Sequence, residues 1–391
     1  MNNIVNKILQ TTRKLWLEDK ALDKAAEVSR RQFIGTGRRL TLLLPVALPP
    51  IALHVNAAQS QTQPTRLAAQ NAITVAQLVD MSTTQQDVAK DFLIGSRAAW
   101  QDINARGGIR GRPVSHWVLE TDGSESGAKM AWEQARDNPA CIALSGTAAD
   151  PLTNQLNTFL RADKADIAHV APWQQNASVE LDANTFTIFS SRDEQIAHAL
   201  KFLSTLRATS LGVVFASKLV RQQNIADVQH IAQKSGLTLQ EQALTSSLLE
   251  AGQNISAGSA AVILFIGGTP ELAQFTRGLE QQARLRYVLA LADVNLQTLQ
   301  QMGAAKSTPI IVTQAVPLVN SALPIVRSYR QVLAKLYDEP PTPLGLAGFI
   351  AARYTHEVIQ GIEGQITRAT VLQAFNRRQN FDVGGYRVAY T

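Results

Sequence analysis

Strand-like and helix-like patterns alternate along the chain from about residue 72, and this alternation constrains the fold more than any other feature. Five short apolar runs rich in β-branched residues are separated by helical patterns, and five more such runs follow after residue 190. Strands that alternate with helices form parallel sheets covered on both faces. We therefore predict an α/β fold with two doubly wound parallel-sheet lobes and a cleft between them.

A different pattern precedes these two series. Arg30 and Arg31 lie side by side, followed by Phe33, ahead of an apolar run from Leu40 to Val55. The run has 16 residues, fewer than the roughly 20 that a membrane helix needs, and its prolines oppose a stable helix. A basic segment, a short apolar run and small residues near a cleavage point are typical of a signal peptide. We predict that this signal occupies residues 1–58.

The arginine pair specifies the export route more closely. The sequence SRRQFI resembles the twin-arginine motif, an address that a receptor reads in bacteria. The predicted partner during export is therefore the twin-arginine translocase, and the predicted location is the periplasm. The alternative is a chance arginine pair in a basic linker. Residues 59–71 are polar and Gln-rich, and we expect them to form a flexible N-terminus.

Charge and cysteine content exclude some functions. Residues 1–58 hold nine Lys and Arg and four Asp and Glu, so the remaining chain carries 28 basic and 27 acidic residues. This balance does not favour nucleic acid, which needs a basic surface to contact phosphates. The single cysteine, Cys141, allows no intrachain disulfide and begins an apolar run, so we expect a buried strand residue.

Ligands of doubly wound sheets bind beyond the carboxyl ends of the strands. The loops expected there offer hydroxyl and backbone donors at Ser82, Thr83, Ser145, Gly146 and Thr147. These groups suit a small anion or carboxylate, and the alternative is ordinary helix capping by Ser and Thr. The sequence contains no phosphate-binding loop, dinucleotide fingerprint, metal-ligand spacing or nucleophile elbow. We therefore predict no enzyme activity, no cofactor and no metal.

The segment GSRAAWQDINARGGIRGRPV, residues 95–114, carries a resemblance to a known family. It is similar to the first helix, loop and strand of type I periplasmic solute-binding proteins of the branched-chain amino acid class, which are Leu/Ile/Val-binding-like. In that family a helix ends in Asn-x-x-Gly-Gly-Ile-x-Gly. The matching residues here are Asn104, Gly107, Gly108, Ile109 and Gly111. Further similar segments are 187–200, 313–333, 348–375 and 381–390.

The resemblance implies that the chain binds a small solute between two hinged lobes and delivers it to an ABC permease in the inner membrane. It implies ligand contacts at Ser145, Gly146 and Thr147, and in the next loop at Trp173 and Gln174. It also implies that Asp293 pairs with the amino group of an amino acid. A helix cap near Asn295 is the alternative role for Asp293. The lobe-2 loop ASKLVRQQ and the helix start Ala347-Gly348-Phe349 depart from the family pattern.

Together these patterns predict a monomer whose two lobes close on the solute. We place lobe 1 at 72–189 and 318–378, and lobe 2 at 190–317 and 379–391. Three hinge crossings are expected, near 190–191, 314–315 and 380. The alternative function is a periplasmic ligand sensor of the same fold that controls a signalling partner.

Overall fold

The computed structural model describes residues 72–175, 181–205, 208–243 and 245–389. The predicted export signal, with Arg30, Arg31 and Phe33, lies outside the described residues, as does the predicted flexible segment 59–71. In the part of the chain that is described, no helix is both long enough and apolar enough to cross a membrane.

The first lobe is built on a parallel sheet of five strands in the order β2-β1-β3-β4-β5. Its strands are β1 (Ile73–Asp80), β2 (Val114–Thr121), β3 (Cys141–Ser145), β4 (Ala168–Val170) and β5 (Thr185–Phe186). Its first three helices are α1 (Gln86–Ala105), α2 (Glu125–Asp137) and α3 (Asp150–Asp163). Cys141 is buried in β3, as predicted. Separate apolar cores lie on the two faces of the sheet, so helices cover both.

The second lobe repeats this topology. Its parallel sheet has the order β7-β6-β8-β9-β10. The strands are β6 (Ser210–Phe215), β7 (Thr238–Glu241), β8 (Val262–Ile266), β9 (Tyr287–Ala290) and β10 (Ile310–Val312). The helices are α4 (Arg192–Thr205), α5 (Lys218–Lys234), α6 (Leu248–Gln253), α7 (Thr269–Leu279) and α8 (Leu296–Gln301). The predicted doubly wound α/β fold is confirmed, with the same strand order in both lobes.

The Gly-Gly-Ile segment ends α1 as the sequence predicts. Helix α1 stops at Ala105, and Gly108 adopts a φ of +70°, which L side chains rarely adopt. A Cβ atom on Gly108 would lie 2.0 Å from the carbonyl oxygen of Arg112, so only glycine fits there. Ile109 is fully buried in the first core. The loop thus connects α1 to β2.

The chain returns to the first lobe after β10. Three helices follow, α9 (Pro324–Leu336), α10 (Pro343–Gln360) and α11 (Arg368–Asn376), and then an antiparallel hairpin of β11 (Phe381–Val383) and β12 (Tyr386–Val388). The buried residues of these helices belong to the same core as β1 and α1. Residues 187–191 and 313–323 are therefore two crossings between the lobes.

The C-terminal hairpin differs from the sequence expectation, which assigned 379–391 to lobe 2. Val383 and Val388 lie in the core of the first lobe, and the amide of Ile325 in α9 donates to the carbonyl of Gly384. The Tyr386 hydroxyl donates to the carbonyl of Ile188 over 2.7 Å. The hairpin therefore lies beside the first crossing, but its apolar side chains are buried on the lobe-1 side, since that is where they meet α9 and α10.

Candidate functional site

A cavity of about 280 Å³, here called the charged cavity, lies between the two lobes beyond the carboxyl ends of their strands. The first lobe contributes Asp87 from the first turn of α1 and Asp150 from the start of α3. The second lobe contributes Arg192 from the start of α4, Asn224 from α5 and Asp293 from the loop after β9. The cavity thus lies where the doubly wound topology places ligands.

Arg192 connects the two lobes across this cavity. One of its terminal nitrogens lies 2.9 Å from Oδ2 of Asp150 and 3.5 Å from Oδ2 of Asp293. The other donates to Oδ1 of Asn224 over 3.1 Å. All three charged side chains are largely buried, so their interactions are weakly screened by solvent.

Trp173 forms a second contact between the lobes. Its indole nitrogen donates to Oδ1 of Asp293 over 3.1 Å, and its ring packs 5.2 Å from that of Phe189. Burial, with a smaller contribution from the charge of Asp150, raises the pKa of Asp293 to about 6. Asp293 does not cap α8, because Asn295 accepts from the amides of Gln297 and Thr298.

Two residues that line the charged cavity each have a buried side-chain atom with no hydrogen-bond partner among the described residues. One is the Nε donor of Arg192, and the other is the Oδ2 acceptor of Asp87. An unpaired buried donor or acceptor costs about 1–3 kcal/mol.

A buried glutamine joins the crossings behind the cavity. Gln195 in α4 donates to the carbonyl of Ser190 over 3.1 Å and also bonds the side chain of Gln175 in the first lobe. Its amide oxygen accepts from the amide of Ala292 over 3.0 Å and from the hydroxyl of Thr313 over 2.8 Å. Gln195 therefore contacts both crossings and both lobes.

The hydroxyls of Ser145 and Thr147 face the interior of the first lobe. Ser145 is 2.7 Å from the hydroxyl of Thr355 in α10, and Thr147 is 3.0 Å from Nε2 of His169. His169 also bonds Thr185 through Nδ1, and burial lowers its pKa to about 3. Both hydroxyls already have partners inside the fold, and neither residue lines the charged cavity.

Gly146 connects these two residues in a conformation that favours glycine. Its φ is +70°, and a Cβ atom there would lie 2.9 Å from the ring of Phe92. The side-chain amide of Gln77 donates to its carbonyl over 2.7 Å, and its own amide donates to Val170. The loop after β3 is therefore fixed by hydrogen bonds at both the amide and the carbonyl of Gly146, and Asp150 follows four residues later.

The other predicted residues are spread around the cavity. Thr83 is exposed. The backbone amide of Ser82 donates to Oδ1 of Asp80 over 2.9 Å. The neighbouring residue Thr84 lines the charged cavity. Helix α1 has no side-chain cap, so these residues do not act as caps by their side chains. Gln174 is buried and donates to Oδ1 of Asn154, which lines the cavity.

Sequence reasoning missed Asp150 and Arg192. Asp150 ends the loop that contains the predicted Ser145, and Arg192 follows directly on the predicted hinge at 190–191. A charged residue at the end of a strand-end loop and another directly after a hinge could have indicated that both side chains lie in the cleft. Among the residues described here, no group of three or more His, Cys, Asp and Glu could hold a metal ion.

Comparison with known proteins identifies the family to which this fold belongs. The family described as periplasmic binding protein matches residues 72–391, which is most of the chain. The chain belongs to the periplasmic binding protein family. Membership indicates a solute-binding protein rather than an enzyme, because the family is defined by binding. No curated protein matches the sequence closely enough to count as a relative.

Several solved structures share the fold. An extracellular ligand-binding receptor from Verminephrobacter eiseniae is 18% identical, with a TM-score of 0.73 over 81% of this chain and 92% of that one. A branched-chain amino acid ABC transporter protein from Thermus thermophilus with bound valine is 16% identical, with a TM-score of 0.69 over 82% and 87%. A fatty acid ABC transporter substrate-binding protein from Thermomonospora curvata is also 16% identical, with a TM-score of 0.69 over 80% and 82%. At these identities the similarity establishes the fold of this periplasmic binding protein.

Proposed function

We propose that this protein is the periplasmic solute-binding component of an ABC importer, exported by the twin-arginine translocase. It binds a small amino acid or related organic solute in the charged cavity and presents the closed form to a permease in the inner membrane. The family supports solute binding, and two of the solved structures named above belong to ABC transport systems. The arginine pair Arg30-Arg31 supports the export route.

The charged cavity carries the proposal about the site. Its lining includes Arg192 and Asp87, one from each lobe, and each has a buried atom without a hydrogen-bond partner among the described residues, a donor on Arg192 and an acceptor on Asp87. A solute with an acidic group and an amino group satisfies both atoms at once, and it does so only when the lobes are together. Binding energy is thereby converted into hinge closure.

Asp293 is the second acidic group available to an amino group. Arg192 makes three polar contacts, and the one with Asp293 is the longest, at 3.5 Å. A solute ammonium group therefore competes most easily with Arg192 for Asp293. Arg192 keeps its 2.9 Å contact with Asp150 when this happens. The hydroxyls of Ser145 and Thr147 are engaged inside the fold, so in this account Arg192 receives the solute's carboxylate in their place.

The test begins with a thermal-shift screen of amino acids, amides and small carboxylates. Calorimetric titration of the strongest hit then compares the wild type with Asp293→Asn and with Asp166→Asn, a matched change at an exposed aspartate of lobe 1. A charge-assisted hydrogen bond contributes about 1.5–3 kcal/mol, so Asp293→Asn should weaken an amino-acid ligand by about tenfold or more. Asp166→Asn should leave affinity unchanged. Equal affinity in all three proteins would remove Asp293 from the site.

A further inference from the structure

A second cavity between the lobes has a different chemistry from the charged cavity. Its volume is about 250 Å³, and we call it the apolar chamber. Trp173 lines the chamber, while its hydrogen-bond partner Asp293 lines the charged cavity, and the two linings share no residue. The hydrogen-bonded Trp173–Asp293 pair thus contributes one residue to each lining, and the two cavities are treated as distinct sites.

The walls of the chamber are mainly apolar and come from both lobes. Lobe 1 supplies Trp173 and Leu344, and lobe 2 and the second crossing supply Val294, Leu296 and Ala315. Leu296 remains 41% exposed although it borders this space. Burying such surface contributes about 25 cal/mol for each Å² removed from water. The chamber is thus suited to an apolar group of a ligand.

One charged side chain lines the apolar chamber. Asp91, in α1, accepts a 2.8 Å hydrogen bond from the side-chain amide of Asn295 in the other lobe and is also bonded to Thr342. No ion pair joins Asp91 to a basic residue in the described ranges. Burial raises its pKa, and the nearby charges of Glu339 and Asp87 raise it further. The chamber therefore has an excess of negative charge at an apolar wall.

We propose that the apolar chamber binds an organic cation with an apolar body, of the alkylammonium or arylammonium class. The apolar body lies against Trp173, Leu296 and Leu344, and the ammonium group donates to Asp91. A cation compensates the half-buried carboxylate of Asp91, which an anion of the same shape cannot do. Because both lobes line the chamber, its ligand also favours the arrangement in which they are together.

The test uses two probes with the same phenyl body and opposite charge, phenethylammonium and 3-phenylpropionate. Calorimetric titration of the wild-type protein at pH 7 should show saturable binding of phenethylammonium, at least tenfold tighter than that of 3-phenylpropionate. Asp91→Asn should weaken phenethylammonium by about tenfold or more, because it removes a charge-assisted hydrogen bond. Thermal unfolding of the variant, run alongside, shows whether the fold is retained.

Asp87→Asn is the matched variant, since Asp87 lies one turn earlier on the same helix and lines the charged cavity instead. It should weaken phenethylammonium by a smaller factor than Asp91→Asn does, because it removes a nearby negative charge but no hydrogen bond to the ammonium group. A loss of binding in Asp87→Asn but not in Asp91→Asn would place the cation in the charged cavity and overturn the proposal. Equal binding of both probes, or none at millimolar concentration, would also overturn it. Failure to find a solute for the charged cavity leaves this result unaffected.

Discussion

The indole nitrogen of Trp173 and Oδ1 of Asp293 are 3.1 Å apart and form a hydrogen bond between the two lobes. Trp173 follows β4 of the first sheet, and Asp293 follows β9 of the second. Both strands end toward the cleft, so the pair joins the two sheets at their carboxyl ends. Trp173 lines the apolar chamber and Asp293 lines the charged cavity.

The first prediction concerns this hydrogen bond. Trp173→Phe keeps an aromatic ring beside Phe189 but removes the donor, so Oδ1 of the largely buried Asp293 loses this partner. We expect a loss of about 1–3 kcal/mol in the free energy of unfolding, measured by urea titration. In the double variant with Asp293→Ala, which removes the acceptor, the change in unfolding free energy should differ from the sum of the two single changes, because the residues share one interaction. Strict additivity would show that the hydrogen bond contributes nothing.

The second prediction concerns pH. The pKa of Asp293 is raised to about 6, mainly by burial, from an ordinary value of 3.8. The folded protein therefore takes up this proton more readily than the unfolded chain, and lowering the pH from 7 toward 4 stabilises the fold through this group. The stability of the wild type relative to Asp293→Asn should increase across that window. Unfolding titrations at several pH values measure it, and parallel pH dependences of the two proteins would contradict the assignment.

The third prediction concerns the loop that positions Asp150. Gly146→Ala forces an L side chain into φ +70° and places its Cβ 2.9 Å from the buried ring of Phe92. Gly236 has the same φ of +70° with no atom near its Cβ position, so Gly236→Ala measures the backbone cost alone, about 1–2 kcal/mol. Gly146→Ala should cost at least about 1 kcal/mol more in unfolding free energy. Equal costs would mean that the loop moves away from Phe92 freely.

The fourth prediction concerns export. Replacing Arg30 and Arg31 with lysine removes the arginine pair while conserving charge. We expect the precursor to accumulate in the cytoplasm, detected by fractionation and immunoblotting. A matched variant with lysine at Arg38 and Arg39, a second pair nearer the apolar run, should still be exported. Mature protein in the periplasm of a strain without the twin-arginine translocase would refute this route.

The fold was predictable because its signals are local. Apolar runs and helical stripes mark the strands and helices, and the Gly-Gly-Ile segment marks the end of α1 at Ala105. The sequence pattern indicated the wrong lobe for the hairpin at 381–388. Its position depends on the packing of Val383 and Val388 against α9 and α10, and α9 lies more than forty residues earlier in the chain. Sequence pattern does not report such a contact.

The cleft was only partly predictable for the same reason. Asp293 follows an apolar strand, so its location at a strand end could be read from the sequence, and the structure places it on the charged cavity. The partners of Ser145 and Thr147 are Thr355 and His169, and these pairings arise only in the folded chain. The position of Arg192 between two aspartates likewise requires both lobes to be folded and adjacent.

Solution scattering tests the central claim, closure of two lobes on a solute, most directly. The radius of gyration of the purified protein is measured alone and with saturating amounts of the strongest hit from the thermal-shift screen. The account predicts a smaller radius with the solute, and in Asp293→Asn the half-maximal decrease should need about tenfold or more solute. An unchanged radius in the wild type, with the solute shown by calorimetry to be bound, would contradict hinge closure.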